Sequence, residues 1–290
     1  MNGPLGLEHP LVTSRNLDAL AERYRALGFA PTRKGLHPWG TGTQLVLFPD
    51  NFIELMGIEN RSLIDHASPD GFRFGRFIAN FLDRREGISM IALRSENAKA
   101  DLAKVSRRGV ANRGLVDFHR DVVLPDGSKD QAVVTLAMLI ADEAQLSHFI
   151  CQQHRPEFVW VRDWMHHPNG ADAIVSVTYA AMRPDEVRPR FAGIWGDRAL
   201  TDINGGFRVA TAGGEFLVLN HPTAAARFAP TPLPEGCRDA PCAIAIAVHV
   251  PDLDRVQRIL STNAVPFRRN AALVCVPPSH AGNVILEFAR

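Results

Sequence analysis

The chain has 290 residues, 46% of them apolar and 22% charged, with a formal net charge of +1. Such a composition is ordinary for a globular protein, and the length suggests about two domains. The near-neutral balance argues against nucleic acid or an anionic membrane as partner, and no apolar run approaches the ~20 residues of a membrane span.

The first apolar run, LEHPLVTS, reads as a strand and carries His9. LDALAERYRALGF follows as a helix with Leu17, Leu20, Ala21, Tyr24 and Leu27 on one face, and Gly28 suits the position past its end. HPWGTGTQLVLFPD and NFIELMGI then read as strands separated by Gly, Pro and Asp; the second carries Glu54. RSLIDHASPDGFRFGRF reads as a solvated connector with an apolar anchor, and His66 within it is a candidate gate. A second unit starts with GISMIALRS. Its helix NAKADLAKVSRRG ends at Gly109, and the strands VDFHRDVVL, QAVVTLAMLIA and LSHFICQQH follow. Alternation puts His119 beside Asp117 and Asp121, a charged surface face. A third unit holds ADAIVSVTYAAM, a helix from Pro184 to about Trp195, and a hairpin turning at Gly213 and Gly214. The fourth holds CAIAIAVHVPDL, a helix with Leu253, Val256 and Leu260 on one face, and the strands VPFRRN, AALVCVPP and NVILEFAR.

Four strand–helix–strands units do not fit a doubly wound sheet, which alternates single strands with helices. They predict an α+β fold of mixed, mostly antiparallel sheets with helices on the outer face. The opening LEHPLVTSRNLDALAERYRALGF, with GLHPWGTGTQ and FIELMGI, resembles the vicinal-oxygen-chelate superfamily in its glyoxalase-like branch, the group of glyoxalases, bleomycin-resistance proteins and extradiol dioxygenases. VHVPDLDRVQRIL and VILEF extend the likeness into the second half. The resemblance implies βαβββ modules paired into cups: one cup in residues 1–165 and a degenerate one in 166–290, with PEFVWVRDWMHHPNGAD as linker.

In a curved β-cup, alternate residues point inward. Glu54 sits between Ile53 and Leu55 in an apolar strand, where a carboxylate is costly to bury without a partner. Imidazole and carboxylate together suit Fe, Mn, Co, Ni or Zn, and the resemblance places metal ligands at His9 and Glu54. Ser89 aligns with His9 in the second unit, so the set is completed from its last strand, by Gln152 or His154. A one-residue shift there would turn the other face, Phe149, Cys151 and Gln153, inward. Glu54 is also the candidate catalytic base. His37, Trp39 and Gln44, around the Gly-Thr-Gly-Thr run, are the candidate substrate-binding residues. In the second half Ser176 and Ala245 stand where the family has His, His249 is out of register, and only Glu287 matches Glu54. That half reads as structural. Adjacent His166 and His167 point opposite ways and share no ion.

The resemblance implies a metal-dependent isomerase, lyase or ring-opening dioxygenase acting on a small oxygenated molecule. The alternative is a small-molecule binding protein of bleomycin-resistance type without chemistry. A homodimer stays open. No basic segment followed by an apolar core opens the sequence, so no secretory leader is expected. Cys151, Cys237, Cys242 and Cys275 include no CxxC pair, which fits a reduced, cytoplasmic setting, with a Cys237–Cys242 bridge the minority reading.

Overall fold

The structure, a computed structural model, describes residues 5–68, 71–141, 144–237 and 240–290. The first four residues, and Pro69 and Asp70 of the connector, lie outside them.

Two eight-stranded mixed sheets are each built from two βαβββ modules. The first comprises β1 (Gly6–Thr13), α1 (Leu17–Ala26), β2 (Gly35–Leu36), β3 (Thr41–Leu47) and β4 (Phe52–Ile58), then β5 (Gly87–Arg94), α3 (Ala98–Arg107), β6 (Leu115–Val123), β7 (Lys129–Leu139) and β8 (His148–Gln153). Its strand order is β2-β3-β4-β1-β5-β8-β7-β6. The second comprises β9 (Ala173–Ala181), α4 (Pro184–Trp195), β10 (Leu200–Ile203), β11 (Gly206–Ala210) and β12 (Glu215–Asn220), then β13 (Cys242–His249), α6 (Leu253–Thr262), β14 (Arg268–Arg269), β15 (Leu273–Val276) and β16 (Ile285–Ala289). Its order, β10-β11-β12-β9-β13-β16-β15-β14, repeats the first.

Local sequence explains the module helices. In α1 the buried residues are Leu17, Leu20, Ala21 and Tyr24, and the Asn16 side chain caps the first turn by accepting from the Ala19 N–H. Gly28 ends it at φ +84°, and a Cβ there would come within 3.0 Å of Ile259. Asn97 and Asp252 cap α3 and α6 in the same way.

Each strand splits its residues between two layers. Val12, Leu55 and Ile150 enter one continuous core shared by both sheets, which also holds Phe216, Phe288 and the buried faces of α1, α4 and α6. Leu11, Met56, Phe149 and Cys151 face the other way, into a cup of their own. The second sheet's cup is filled by Phe228, Cys242, Ile244, Ala245 and Cys275.

The structure adds to or corrects the sequence reading at three places. The supposed connector, residues 61–77, runs into a further helix, α2 (Phe74–Arg84), which buries Phe74, Ile78, Phe81 and Leu82 over the first cup. At roughly 1.5–3 kcal/mol per fully buried apolar side chain, that face outweighs the lack of a side-chain N-cap. Its counterpart α5 (His221–Phe228) plugs the second cup with Ala224 and Phe228. The expected linker is packed against the first half: Val159 joins an apolar cluster with Phe52, and His167 accepts from Ala30 N–H and contacts the Leu47 carbonyl at 2.8 Å. Finally, Cys237 and Cys242 are joined, while Cys151 and Cys275 are buried free thiols. No described helix is long and apolar enough to cross a membrane.

Candidate active site

A bulge in β1 builds the floor of the first cup. Leu7 pairs with Leu93 and His9 with Ala92, so Glu8 is the extra residue. The bulge breaks the alternation. Leu7 therefore enters the shared core, while His9 lines the cup cavity and Glu8 reaches Gln153 beside it. Parallel pairing of β1 with β4 brings Glu54 opposite Leu11 and next to His9. His37, just past β2, arrives from the other side, fixed by Nδ1 against Thr41 Oγ1 at 2.9 Å.

These groups form a chain of contacts. Gln153 Nε2 donates to Glu8 Oε1 at 3.1 Å. His9 Nδ1 lies 3.3 Å from Glu8 Oε1, at ion-pair distance but without the alignment of a hydrogen bond. His9 Nε2 is 3.2 Å from Glu54 Oε2, and His37 Nε2 is 3.9 Å from Glu54 Oε1. His9, His37 and Glu54 are all buried. Burial works against a charge on His9, but the Glu54 and Glu8 carboxylates overcome it and hold the pKa above 6.5. Burial would also raise Glu54; the contact with His9 and the charges of His9 and His37 instead hold it at about 2. His37 is lowered to about 4, chiefly by burial, with Arg120 and His9 adding to the effect. Two histidines in one cavity are thus pushed in opposite directions.

Trp39, Phe52, Phe74, Phe118 and Phe149 wall the cavity, with Val159 from the packed linker at its rim. About 50 Å³ stays open to the centre of a water molecule, against the ~10–15 Å³ that one water needs. The edge strands β2 and β6 approach each other and nearly close the sheet. Arg120 reaches inward from β6, and a Cβ on Gly35 would sit 3.2 Å from its Nη1.

Pseudo-twofold pairing of β1 with β5 tests the expected metal set. β1 has its extra residue at Glu8 and β5 at Ser89. Ser89 therefore corresponds to Glu8, and the residue corresponding to His9 is Met90. Leu11 pairs in parallel with Glu54, and its counterpart Ala92 pairs with Phe149, so Glu54 corresponds to Phe149. The second module thus places a thioether and a phenyl ring where nitrogen or oxygen donors were expected. His9 and His37 engage opposite oxygens of Glu54 rather than one point. Among the described residues, no three His, Cys, Asp or Glu side chains are placed to hold one ion. The residues present do not fit the divalent metal that the resemblance implies.

The other expected residues are distributed as follows. Gln152 lies on the outer face of β8, where its Oε1 accepts from the Ala98 N–H at the start of α3. His154 is exposed, 2.8 Å from Thr135 Oγ1. Neither meets His9, because the cup face of β8 is Phe149, Cys151 and Gln153. Trp39 lines the cavity with His37, their rings stacked at 5.2 Å. Gln44 does not: it points outward, accepting from Arg25 of α1. His66 and His119 are exposed and outside the cavity. Sequence reasoning missed Glu8 and Arg120, and held Gln153 only as part of the alternative face of β8. Glu8 needed the bulge. Arg120 had a readable signal, as the one charge on the Val116, Phe118, Arg120, Val122 face of β6.

In the second sheet, Glu287 pairs with Ala247 as Glu54 does with Leu11. It is held by Arg227 of α5 at 2.8 Å. Ser176 and Ala245 follow the bulged residues of β9 and β13, as His9 follows Glu8. His249 sits at the strand's end, 2.6 Å from Asp172.

A search of curated proteins returns no match. Among solved structures the chain is similar to a hypothetical protein from Staphylococcus aureus, at 13% identity over 98% of both chains, with a TM-score of 0.67. It is also similar to a variant of 4-hydroxymandelate synthase from Streptomyces coelicolor, at 10% identity over 99% of this chain and 92% of that one, TM-score 0.60. A third is BphC, a halotolerant catechol dioxygenase, at 9% identity over 98% and 86%, TM-score 0.56. At such identities these likenesses concern the fold alone. The repeated βαβββ modules and cup agree with a family model that matches residues 7–194, and the chain belongs to the glyoxalase-like domain family.

Proposed function

We propose that the cup within residues 1–165 is an active site for proton-transfer chemistry on a small oxygen-bearing molecule, with residues 166–290 as structural support. One observation carries the reading: His9 Nε2 and His37 Nε2 face the two oxygens of a single buried carboxylate, Glu54, on the floor of an aromatic cavity. Environments that push two titratable groups apart assign an acid and a base. His9, whose pKa the Glu54 and Glu8 carboxylates raise, is the proton donor toward an oxygen of the bound molecule. His37, neutral, is the acceptor of a proton from a neighbouring carbon or hydroxyl. Glu54, expected as the base, is held low by its contact with His9 and by the charges of both histidines, and is assigned here to orienting both rings. Isomerase or lyase chemistry beside a carbonyl fits this pair. Dioxygenation receives less support, because Met90 and Phe149 supply no donors for a redox metal.

Those same two apolar replacements favour a second reading, sequestration of a small molecule without chemistry. The test is solvent-deuterium exchange into small ketones and hydroxyketones, followed by NMR. The enzyme reading expects exchange that falls roughly 10²- to 10⁴-fold in His37→Gln and in His9→Gln. Binding without exchange, unchanged in His37→Gln, would establish the second reading instead.

A further inference from the structure

Arg120 is the cation in the cup that the reading above leaves unused. It makes no hydrogen bond or ion pair among the described residues, and its electrostatic partner, Glu54, lies beyond ion-pair distance. Glu54 is already engaged by His9, and Glu8 lies near both His9 and Arg94. Of the two permanently charged groups lining the cavity, Glu54 is engaged by His9, which leaves the Arg120 guanidinium without a counter-ion.

Two further groups in the cavity lack partners. The Trp39 indole N–H is buried without an acceptor, and Gln153 Oε1 without a donor. A buried polar atom left unpaired is costly in a native protein and calls for a reason. Trp39 also offers an aromatic face, in a wall completed by Phe118 at 4.7 Å and Phe74 at 4.9 Å. The walls are apolar, one guanidinium is free, and one neutral donor is spare.

We propose that the cup selects a small aromatic or branched apolar carboxylate, with Arg120 as the residue that recognises the acid group and the Trp39, Phe118 and Phe149 rings holding the apolar part. A guanidinium matches a carboxylate with two parallel hydrogen bonds, and apolar walls exclude the water that would weaken them. Gly35 serves this arrangement: a side chain there would press on Arg120 from the facing edge strand.

The inference rests on the cup being a ligand site, and the two fail differently. The probes are benzoate and phenylacetate, compared with the neutral isosteres benzamide and phenylacetamide, with binding read by calorimetry and thermal shift. The acids are expected to bind wild type at least 10-fold more tightly than the amides. Arg120→Met is expected to weaken the acids roughly 10- to 100-fold and leave the amides unchanged, with Arg120→Lys in between. The wild-type acid–amide comparison stands even if Arg120→Met does not fold. Amides binding as well as acids, or acid affinity surviving in Arg120→Met, would overturn the anion assignment and leave the cup as a ligand site. Neither acid nor amide binding at tens of millimolar would overturn both.

Discussion

His9 and Met90 hold the same place in two copies of one module: each follows the extra residue of its strand and faces the same cup. Where a symmetric site would have two donors, this cup has one donor and one thioether. The purified protein is therefore expected to contain well under one divalent ion per chain by elemental analysis. Met90→His adds a third nitrogen or oxygen donor near His9 and Glu54, and is expected to gain measurable Co²⁺ or Zn²⁺ affinity. One tightly held ion per wild-type chain, lost in His9→Ala, would contradict this account.

Stability is expected to fall on acidification below about pH 6.5. His37 and His167 are each lowered to about 4 and His148 to about 3, burial being the largest cause in each case. The folded state therefore binds fewer protons than the unfolded chain between those values and 6.5. Each contribution is fully present above 6.5 and lost as pH falls through the folded value, at about 1.4 kcal/mol per group per pH unit. Glu54, at about 2, adds a loss below 4.5. His9 runs the other way: its raised pKa contributes below 6.5 and is lost as pH rises through the folded value. Denaturant midpoints across pH 4–8 test the net acid-side decline. A ¹⁵N NMR titration should show His9 keeping its second proton to higher pH than His37 does.

Asn51 ties the halves of the molecule together. Its Nδ2 donates to the Ile174 carbonyl at 2.9 Å, and its Oδ1 accepts from the Ile174 N–H at 2.8 Å, both buried. Asn51→Ala strands a backbone donor and an acceptor at once. A loss of about 2–4 kcal/mol is expected, measured as a shift in the denaturant midpoint, with Asn51→Asp recovering the bond to the N–H alone.

Tyr24 predicts a gain. The ring is fully buried under α1, and its hydroxyl has no partner among the described residues. Tyr24→Phe removes an unpaired polar atom without changing the packing, so stability should rise by about 1 kcal/mol. A lower melting temperature would show that the hydroxyl holds a water.

The repeated order strand, helix, strands was legible because each module carries its own periodicity and caps: the face of α1 from Leu17 to Tyr24, the end of α1 at Gly28, the start of α4 at Pro184. His9 and Glu54 were legible as polar residues in apolar strands. What only the tertiary structure decided was which face of each strand meets the cup. A single extra residue, Glu8, turned Leu7 away from His9, and Ser89 did the same in β5. Pairing, not position along the chain, made Phe149 rather than Gln152 the neighbour of the site. Side-chain period in a strand is two, so one bulge reverses every assignment beyond it. A sequence carries the polar residues of such a cup, while the ladder of hydrogen bonds between distant strands decides which of them share it.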